Sequence, residues 1–258
     1  MRRPDPLPSW DDLVALGREH GLEHLGVAPA DVLARARHAL HARKAAGLHA
    51  GMGFTYRNPD RSTDPQRAVA GARSIIVGAR PYRLADEPER PTEGAWGSVA
   101  RYAWSDHYAP LRNGLQAIAR RLRRSDHRAV VFADDNSIVD REAAYQGGLG
   151  WFGKNANILI PGAGSFFVLG SVVTTAEYPA SELVADGCGA CRRCIDACPT
   201  GAIVEPGVID ANRCLAWLVQ RPGSFPVEYR TALGDRLYGC DDCQTACPIS
   251  VRRGPRVA

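Results

Sequence analysis

The stretch 188-CGACRRCIDACP-199 and the sparser run 240-CDDCQTACP-248 hold seven of the chain's eight cysteines, and the eighth, Cys214, stands between them. The first 187 of the 258 residues contain none. A disulfide framework is the usual meaning of dense cysteines in a small secreted domain. This chain is long enough to bury a sizeable core without such staples. Its start, Met1 to Trp10, is polar and Pro-rich with no apolar stretch behind it, so no secretory signal is read there. No run approaches the roughly 18 apolar residues of a membrane span. The expectation is a cytoplasmic protein with reduced thiols and no membrane partner. Hydrophobic residues at 45% and charged ones at 23% are ordinary for a soluble globular chain, and a net charge of +4 is too small to name an anionic partner.

The spacing says what the thiols do. C-x2-C pairs are also zinc knuckles, so structural zinc is the competing reading. Cys188-x2-Cys191-x2-Cys194-x3-Cys198-Pro199 favours iron–sulfur ligation instead: in bacterial ferredoxins this run gives three cysteines to one [4Fe-4S] cluster and the Cys before Pro to another. The second run, Cys240-x2-Cys243-x3-Cys247-Pro248, has Ala246 where its third cysteine belongs, and Cys214 supplies the missing thiolate. The cross-over rule then assigns Cys188, Cys191, Cys194 and Cys247 to one cluster, and Cys198, Cys214, Cys240 and Cys243 to the other.

The cysteine-free part reads as alternating helices and strands. Helices are expected over 11–21, over 31–46 with Asp31 as cap, over 109–124 and over 139–146; strands over 25–27, 74–79 and 128–133. Segments 158–160 and 166–175 read as paired strands around the turn 161–164. The fold class is therefore α+β or α/β, with residues 1–180 as an α/β domain and 181–258 as a ferredoxin-like double-cluster module. Gly148-x-Gly150-x-x-Gly153 has the letters of a dinucleotide fingerprint but follows a helix and leads into a strand, so its context is wrong. The basic run Arg120–Arg128 reads first as a solvated helix face, with contact to an RNA backbone as the second reading. Asp134 ends the 128–133 strand, where a carboxylate at the carboxyl edge of a sheet points into a crevice. It either caps the following helix or serves as a general acid beside a cofactor pocket.

The residues Asp134 to Asn155 (DDNSIVDREAAYQGGLGWFGKN), the segment 164–170 (GSFFVLG), and the eight cysteines with 198-CPTGAI-203 resemble the epoxyqueuosine reductases, cobalamin-dependent relatives of the reductive dehalogenases. The resemblance runs from about residue 10 to Pro248. It implies a base-off cobalamin in the N-terminal domain, one cluster close to the corrin, and reduction of epoxyqueuosine in tRNA to queuosine. In that family the acid lies 17 positions before the tryptophan of GLGW, which falls on Asp134. Corrin contacts fall on Ile158, Leu169, Leu215, Asp241 and Asp242, with Asp134 itself beside the cofactor. The implied partners are the tRNA anticodon stem-loop, with Arg221 and Arg230 available to its backbone, and an external low-potential electron donor; the implied state is a monomer. The sequence departs from the family at Asp135-Asn136-Ser137, where Thr, a small residue and Pro are common. It ends ten residues after Pro248, where longer members continue into a helical-repeat segment. The alternatives are the same machinery acting on another epoxide or a halogenated substrate, and a ferredoxin-like electron carrier.

Overall fold

Eight residues, Ser74–Pro81 (SIIVGARP), apolar or small except for the partly exposed Arg80, form a strand buried on every other side chain. A strand with no polar face must be covered on both sides. It lies second in a four-stranded sheet ordered His24–Pro29, Ser74–Pro81, Phe167–Thr174, Ala129–Phe132. Every neighbouring pair is antiparallel, with Ile76 opposite both Val27 and Val172. The computed structural model describes residues 3–54, 56–89 and 91–256; the chain ends bounding the two expected domains lie outside them.

Helices cover both faces. On one, Leu13 of Trp10–Glu19 and Leu111, Leu115, Ile118 and Leu122 of Tyr108–Arg124 pack over Val27, Ile76 and Val172, all of them at most 2% exposed. On the other, Ala36 of Ala34–Ala45 and Ala143 and Ala144 of Asp140–Gln146 lie over Ile75, Val77 and Val173. Gly26 lets this second helix end close to the edge strand: a Cβ there would sit 1.9 Å from the Gly147 carbonyl oxygen. The chain leaves the helix through Gly148 at φ 68°, which glycine tolerates without strain.

Three local expectations are corrected. The helix expected over 31–46 starts at Ala34, with Leu33 rather than Asp31 at its N-cap and no side-chain cap bond. Segments 158–160 and 166–175 do not pair with each other. Ile158–Leu159 pairs with Trp151–Phe152, whereas Phe167–Thr174 runs between Ser74–Pro81 and Ala129–Phe132. The intervening turn folds back on itself through Ile160 and Gly164 and is wedged against Ser250, too close for any side chain at Gly164. Finally, the sheet is antiparallel, so the carboxyl-edge rule of parallel sheets does not place Asp134; it sits after an edge strand, in a turn leading to Asp140–Gln146.

The cysteine segment contributes short pieces: helices Arg193–Asp196, Leu215–Leu218 and Asp242–Thr245, and the pair Ile203–Glu205 with Val208–Ile209. Its own core is small, so it is sewn to the rest by hydrogen bonds. Ala211 N–H donates to Leu48 O, Trp217 Nε1 to Ala50 O and Arg43 Nη2 to Gly207 O. Arg236–Tyr238 pairs in parallel with Ser98–Val99. Among the described residues no helix is long and apolar enough to cross a membrane. The basic run is mostly spent internally: Arg121 donates to Ser125 Oγ and Pro6 O, Arg123 to Ala129 O, and Arg128 to Ala70 O.

Candidate functional site

Each cysteine run ends in a short helix stopped before proline, which presents its thiols inward from a tight turn. The eight thiols fall into two groups. Burial raises the Cys194 thiol, and after burial the groups that act on it are Cys188, Cys247 and Cys191. Burial also pushes up Cys243, then Cys240, Cys214 and Cys198 add to the shift. Cys240, pushed up to about 12 by burial, feels Cys214, and Cys214, raised by burial, feels Cys198. Cys194 also acts on Cys243, so the two groups lie side by side. The expected clusters would draw on 188, 191, 194 and 247 for one, and on 198, 214, 240 and 243 for the other.

Cys194, Cys214, Cys240 and Cys243 are each raised by burial, and a cluster that binds cysteines takes them as thiolates and releases their protons. Among the described residues no three His, Cys, Asp or Glu side chains converge as they would round a single ion. Donors to sulfur are in place: Trp151 Nε1 lies 3.4 Å from Cys188 Sγ, and the Ala202 amide 3.2 Å from Cys198 Sγ. Such bonds raise cluster potentials.

The second run is clamped by buried polar groups from the α/β part. Gln244, between Cys243 and Cys247, accepts from Ser165 Oγ at 2.9 Å and donates to Tyr82 Oη at 3.2 Å. Asn155 Nδ2 donates to Cys243 O at 3.3 Å. Asp241 accepts from the Arg101 amide at 2.8 Å and from its guanidinium at 3.3 Å; Asp242 takes Arg236 Nη2 on both oxygens at 2.9 and 2.7 Å. Both carboxylates are thus engaged within the protein.

Of the other expected corrin residues, Ile158 and Leu215 are buried and Leu169 is half-buried, on a central strand. Leu169 and Phe132 pack at the margin of the same core and are both partly uncovered. Asp134 is exposed and follows directly in the chain. A partly uncovered apolar surface at Leu169 and Phe132, close in the chain to the Asp134 carboxylate, is chemistry that suits the face of a large ring.

Three residues that the sequence reading gave no role stand at this place. Asp140 opens the helix after the Asp134 turn, and burial, reinforced by Asp134, holds its carboxyl well above the usual carboxylate range. Tyr108 is pushed up to about 12, first by burial and then by Asp134 and Asp140. The positive charge of Arg141 opposes the rise at Asp140 and at Tyr108. In the sequence Asp140 and Arg141 look like an unremarked helix start; only the burial of the Asp140 carboxyl in the fold sets them apart.

Comparison with known proteins agrees with this geometry. Residues 187–250 match the model of the 4Fe-4S double cluster binding domain, and residues 62–135 that of epoxyqueuosine reductase QueG, DUF1730. The epoxyqueuosine reductase of Bacillus anthracis is 34% identical over 242 residues, 92% of this chain and 63% of its own length. That of Xanthomonas campestris pv. campestris is 34% identical over 257 residues, 96% of this chain and 72% of its own. The chain therefore spans just under two thirds of the first of these relatives. A crystal structure of epoxyqueuosine reductase with an epoxyqueuosine-modified tRNA-Tyr stem loop superposes with a TM-score of 0.89 at 32% identity, over 95% of this chain and 66% of that one. The Bacillus subtilis enzyme, recorded with its catalytic aspartate loop swung out of the active site, gives 0.88 at 31% identity over 95% and 66%. A catabolic reductive dehalogenase shares the fold at 16% identity and a TM-score of 0.61, over 94% of this chain and 32% of its own. With the two thiol groups, the aspartate turn and these relatives together, the chain belongs to the epoxyqueuosine reductase family.

Proposed function

We propose that this protein reduces epoxyqueuosine in tRNA to queuosine, using two [4Fe-4S] clusters and a base-off cobalamin. The observation that carries the reading is the pair of interleaved cysteine runs, the second of them fastened to the sheet domain through Gln244 and Asn155, in a chain of the epoxyqueuosine reductase family. Removing the epoxide oxygen as water takes two electrons and two protons, which two one-electron clusters refilled by an external low-potential donor can supply. When bound, cobalamin supplies the reduced cobalt centre that passes electrons to the epoxide carbon. Cys188, Cys191, Cys194 and Cys247 hold one cluster; Cys198, Cys214, Cys240 and Cys243 hold the other. Ile158, Leu169 and Leu215, with the backbone at Asp241 and Asp242, line the corrin.

Asp134 is the proton donor. As the C–O bond breaks, negative charge develops on the oxygen, and an exposed carboxyl close in the chain to that apolar surface can reach an RNA-bound base that no enclosed pocket would admit. The tRNA anticodon stem-loop is the substrate, met as in the stem-loop complex of the relative. We take residues 1–180 as the cobalamin and substrate domain, 181–258 as the cluster module, and the working form as a cytoplasmic monomer.

The test is a cobalamin titration of anaerobically reconstituted protein, followed by conversion of epoxyqueuosine-containing tRNA. Stoichiometric cobalt retained through gel filtration and queuosine formation are expected. Asp134→Asn should keep eight iron atoms and cobalamin but lose turnover. Intact clusters with no cobalt retained would overturn the cobalamin reading, and wild-type turnover in Asp134→Asn would remove Asp134 as the acid.

A further inference from the structure

The indole of Trp151 belongs to the sheet domain and yet ends on a cysteine of the cluster segment: its Nε1 donates to Cys188 Sγ at 3.4 Å. The side chain is 6% exposed and shares a small core with Leu159 and Cys247, against which Cys188, Val184 and Ile249 pack. That core joins one cysteine of each run, Cys188 of the first and Cys247 of the second. The ring has little freedom. Its strand, Trp151–Phe152, pairs with Ile158–Leu159. A Cβ at Gly187 would come within 2.7 Å of the indole Cζ2, so the ring rests on the backbone just before Cys188. Just after Cys188, Lys154 Nζ donates to Gly189 O at 2.7 Å and fastens the loop on its other side.

A buried indole N–H can only donate, and it needs an acceptor. A neutral thiol is a weak acceptor. The thiolate of a bound cluster is a stronger one, and stronger again once the cluster takes up an electron and its sulfurs gain negative charge. The Trp151 bond is therefore one that tightens on reduction. We propose that Trp151 sets the potential of the first cluster, its indole N–H bonding Cys188 Sγ and favouring the reduced state. It acts through Cys188, so it is a positioning residue and not a catalytic one. The inference rests on the reading above for the ligands of the first cluster, and is independent of what the electrons finally reduce. The effect falls where electrons enter: Cys191 of this group is exposed, whereas Cys198, Cys214, Cys240 and Cys243 are all partly covered. The Ala202 amide serves Cys198 Sγ in the same way from the backbone, at 3.2 Å. Exchanging Trp151 should therefore move one cluster relative to the other.

The test is Trp151→Phe in the full, cluster-loaded chain, titrated anaerobically and followed by electron paramagnetic resonance of the reduced clusters. Phenylalanine keeps an apolar ring and removes the donor. Losing the bond should shift the ratio of reduced to oxidised cluster by about tenfold, which for a one-electron couple lowers the midpoint by about 59 mV. The other midpoint should hold within about twofold, with iron at about eight atoms per chain in both proteins. Leu159→Val disturbs the same small core but keeps the N–H, and should leave both midpoints within about twofold. Should Trp151→Phe fail to load the first cluster, wild-type protein labelled at the indole nitrogen takes its place. The spin of the reduced cluster should then couple to the label; Trp217 donates to Ala50 O instead of to sulfur and gives no such signal. Unchanged midpoints in a loaded Trp151→Phe, or no coupling to the label, would overturn the proposal. So would an equal fall in Leu159→Val, which would make packing the cause. Wild-type protein that binds only about four irons would sink the two-cluster reading and the proposal with it. The expected fall in a protein with both clusters that forms no queuosine would sustain the role of Trp151 and sink the functional reading instead.

Discussion

Replacing Arg35 by methionine tests how the helix that bears Asp140 and Arg141 is anchored. Glu142, two residues on and round the far side of that helix, is 1% exposed and accepts from Arg35 Nε at 3.2 Å, from Arg35 Nη2, and from Gln146 Nε2 at 3.0 Å. The Arg35 guanidinium also lies over the rings of Tyr145 and Phe152, 4.3 and 4.2 Å from their centroids. Removing one partner of a fully buried pair costs roughly 3–5 kcal/mol, and of an exposed pair roughly 0–1. The Arg35 side chain is 48% exposed and Glu142 only 2%, so screening brings the figure to about 2 kcal/mol. Methionine keeps part of the aromatic contact through its sulfur. For a domain of this size about 2 kcal/mol lowers Tm by about 4–8 °C. The assay is thermal unfolding by circular dichroism on anaerobic, cluster-loaded protein. The double variant Arg35→Met/Glu142→Met should recover at least half the loss, because no charge is then left buried and unpaired. A Tm for Arg35→Met within about 1 °C of wild type, or a double variant whose losses simply add, would refute the reasoning.

Other consequences follow from the same contacts. Cys214→Ser should leave the first cluster and lose the second, halving iron content from about eight to about four atoms per chain by metal analysis. Gln244→Leu strips Ser165 Oγ and Tyr82 Oη of a buried partner, which should cost about 1–3 kcal/mol and speed loss of the second cluster's absorbance in chelator relative to wild type. Because the folded state raises the Asp140 pKa, it binds more protons than the unfolded chain between the two pKa values. Stability from this group is therefore greatest at acid pH and falls as pH rises through that window. Asp140→Asn should gain in Tm on wild type when pH goes from about 5 to about 8; a constant difference would mean the carboxyl is not neutral in the fold.

The cysteines were legible because ligation by a cluster is a matter of spacing along the chain, and Cys214 was forced by the gap at Ala246. Ser74–Pro81 was legible for a related reason: burial on both faces leaves the run 75–79 without a polar side chain. What failed was pairing. Phe167–Thr174 has a glycine-rich turn just before it, which looks like a hairpin, but its partners lie more than thirty residues away in the chain and are chosen by the core. Asp140 was illegible for a third reason. Nothing in DNSIVDRE distinguishes it from Glu142 or Arg141, and the burial of its carboxyl is set by tertiary packing that spacing along the chain does not carry.

The cysteine segment is not a free-standing ferredoxin bolted to an enzyme. Its buried apolar residues amount to Ala202, Ile203, Ala211, Leu215, Leu218 and Cys247, too few to fix the segment by burial alone. Its positions are set by donors and acceptors from the sheet domain: Arg101 on Asp241, Tyr82 and Ser165 on Gln244, Asn155 on the Cys243 carbonyl, Arg83 Nη1 on the carbonyls of Ser250 and Val251 at 3.2 and 2.8 Å. Tyr82 directly follows the strand Ser74–Pro81, and Ser165 lies two positions before Phe167–Thr174. The two central strands of the sheet therefore end on the second cluster's loop. That arrangement makes the distance from the second thiol group to the aspartate turn a property of the sheet, which is rigid, rather than of the loop that carries the thiols. An electron carrier that only docks on partners has no need of it; a reductase that must deliver charge and a proton to one bond does.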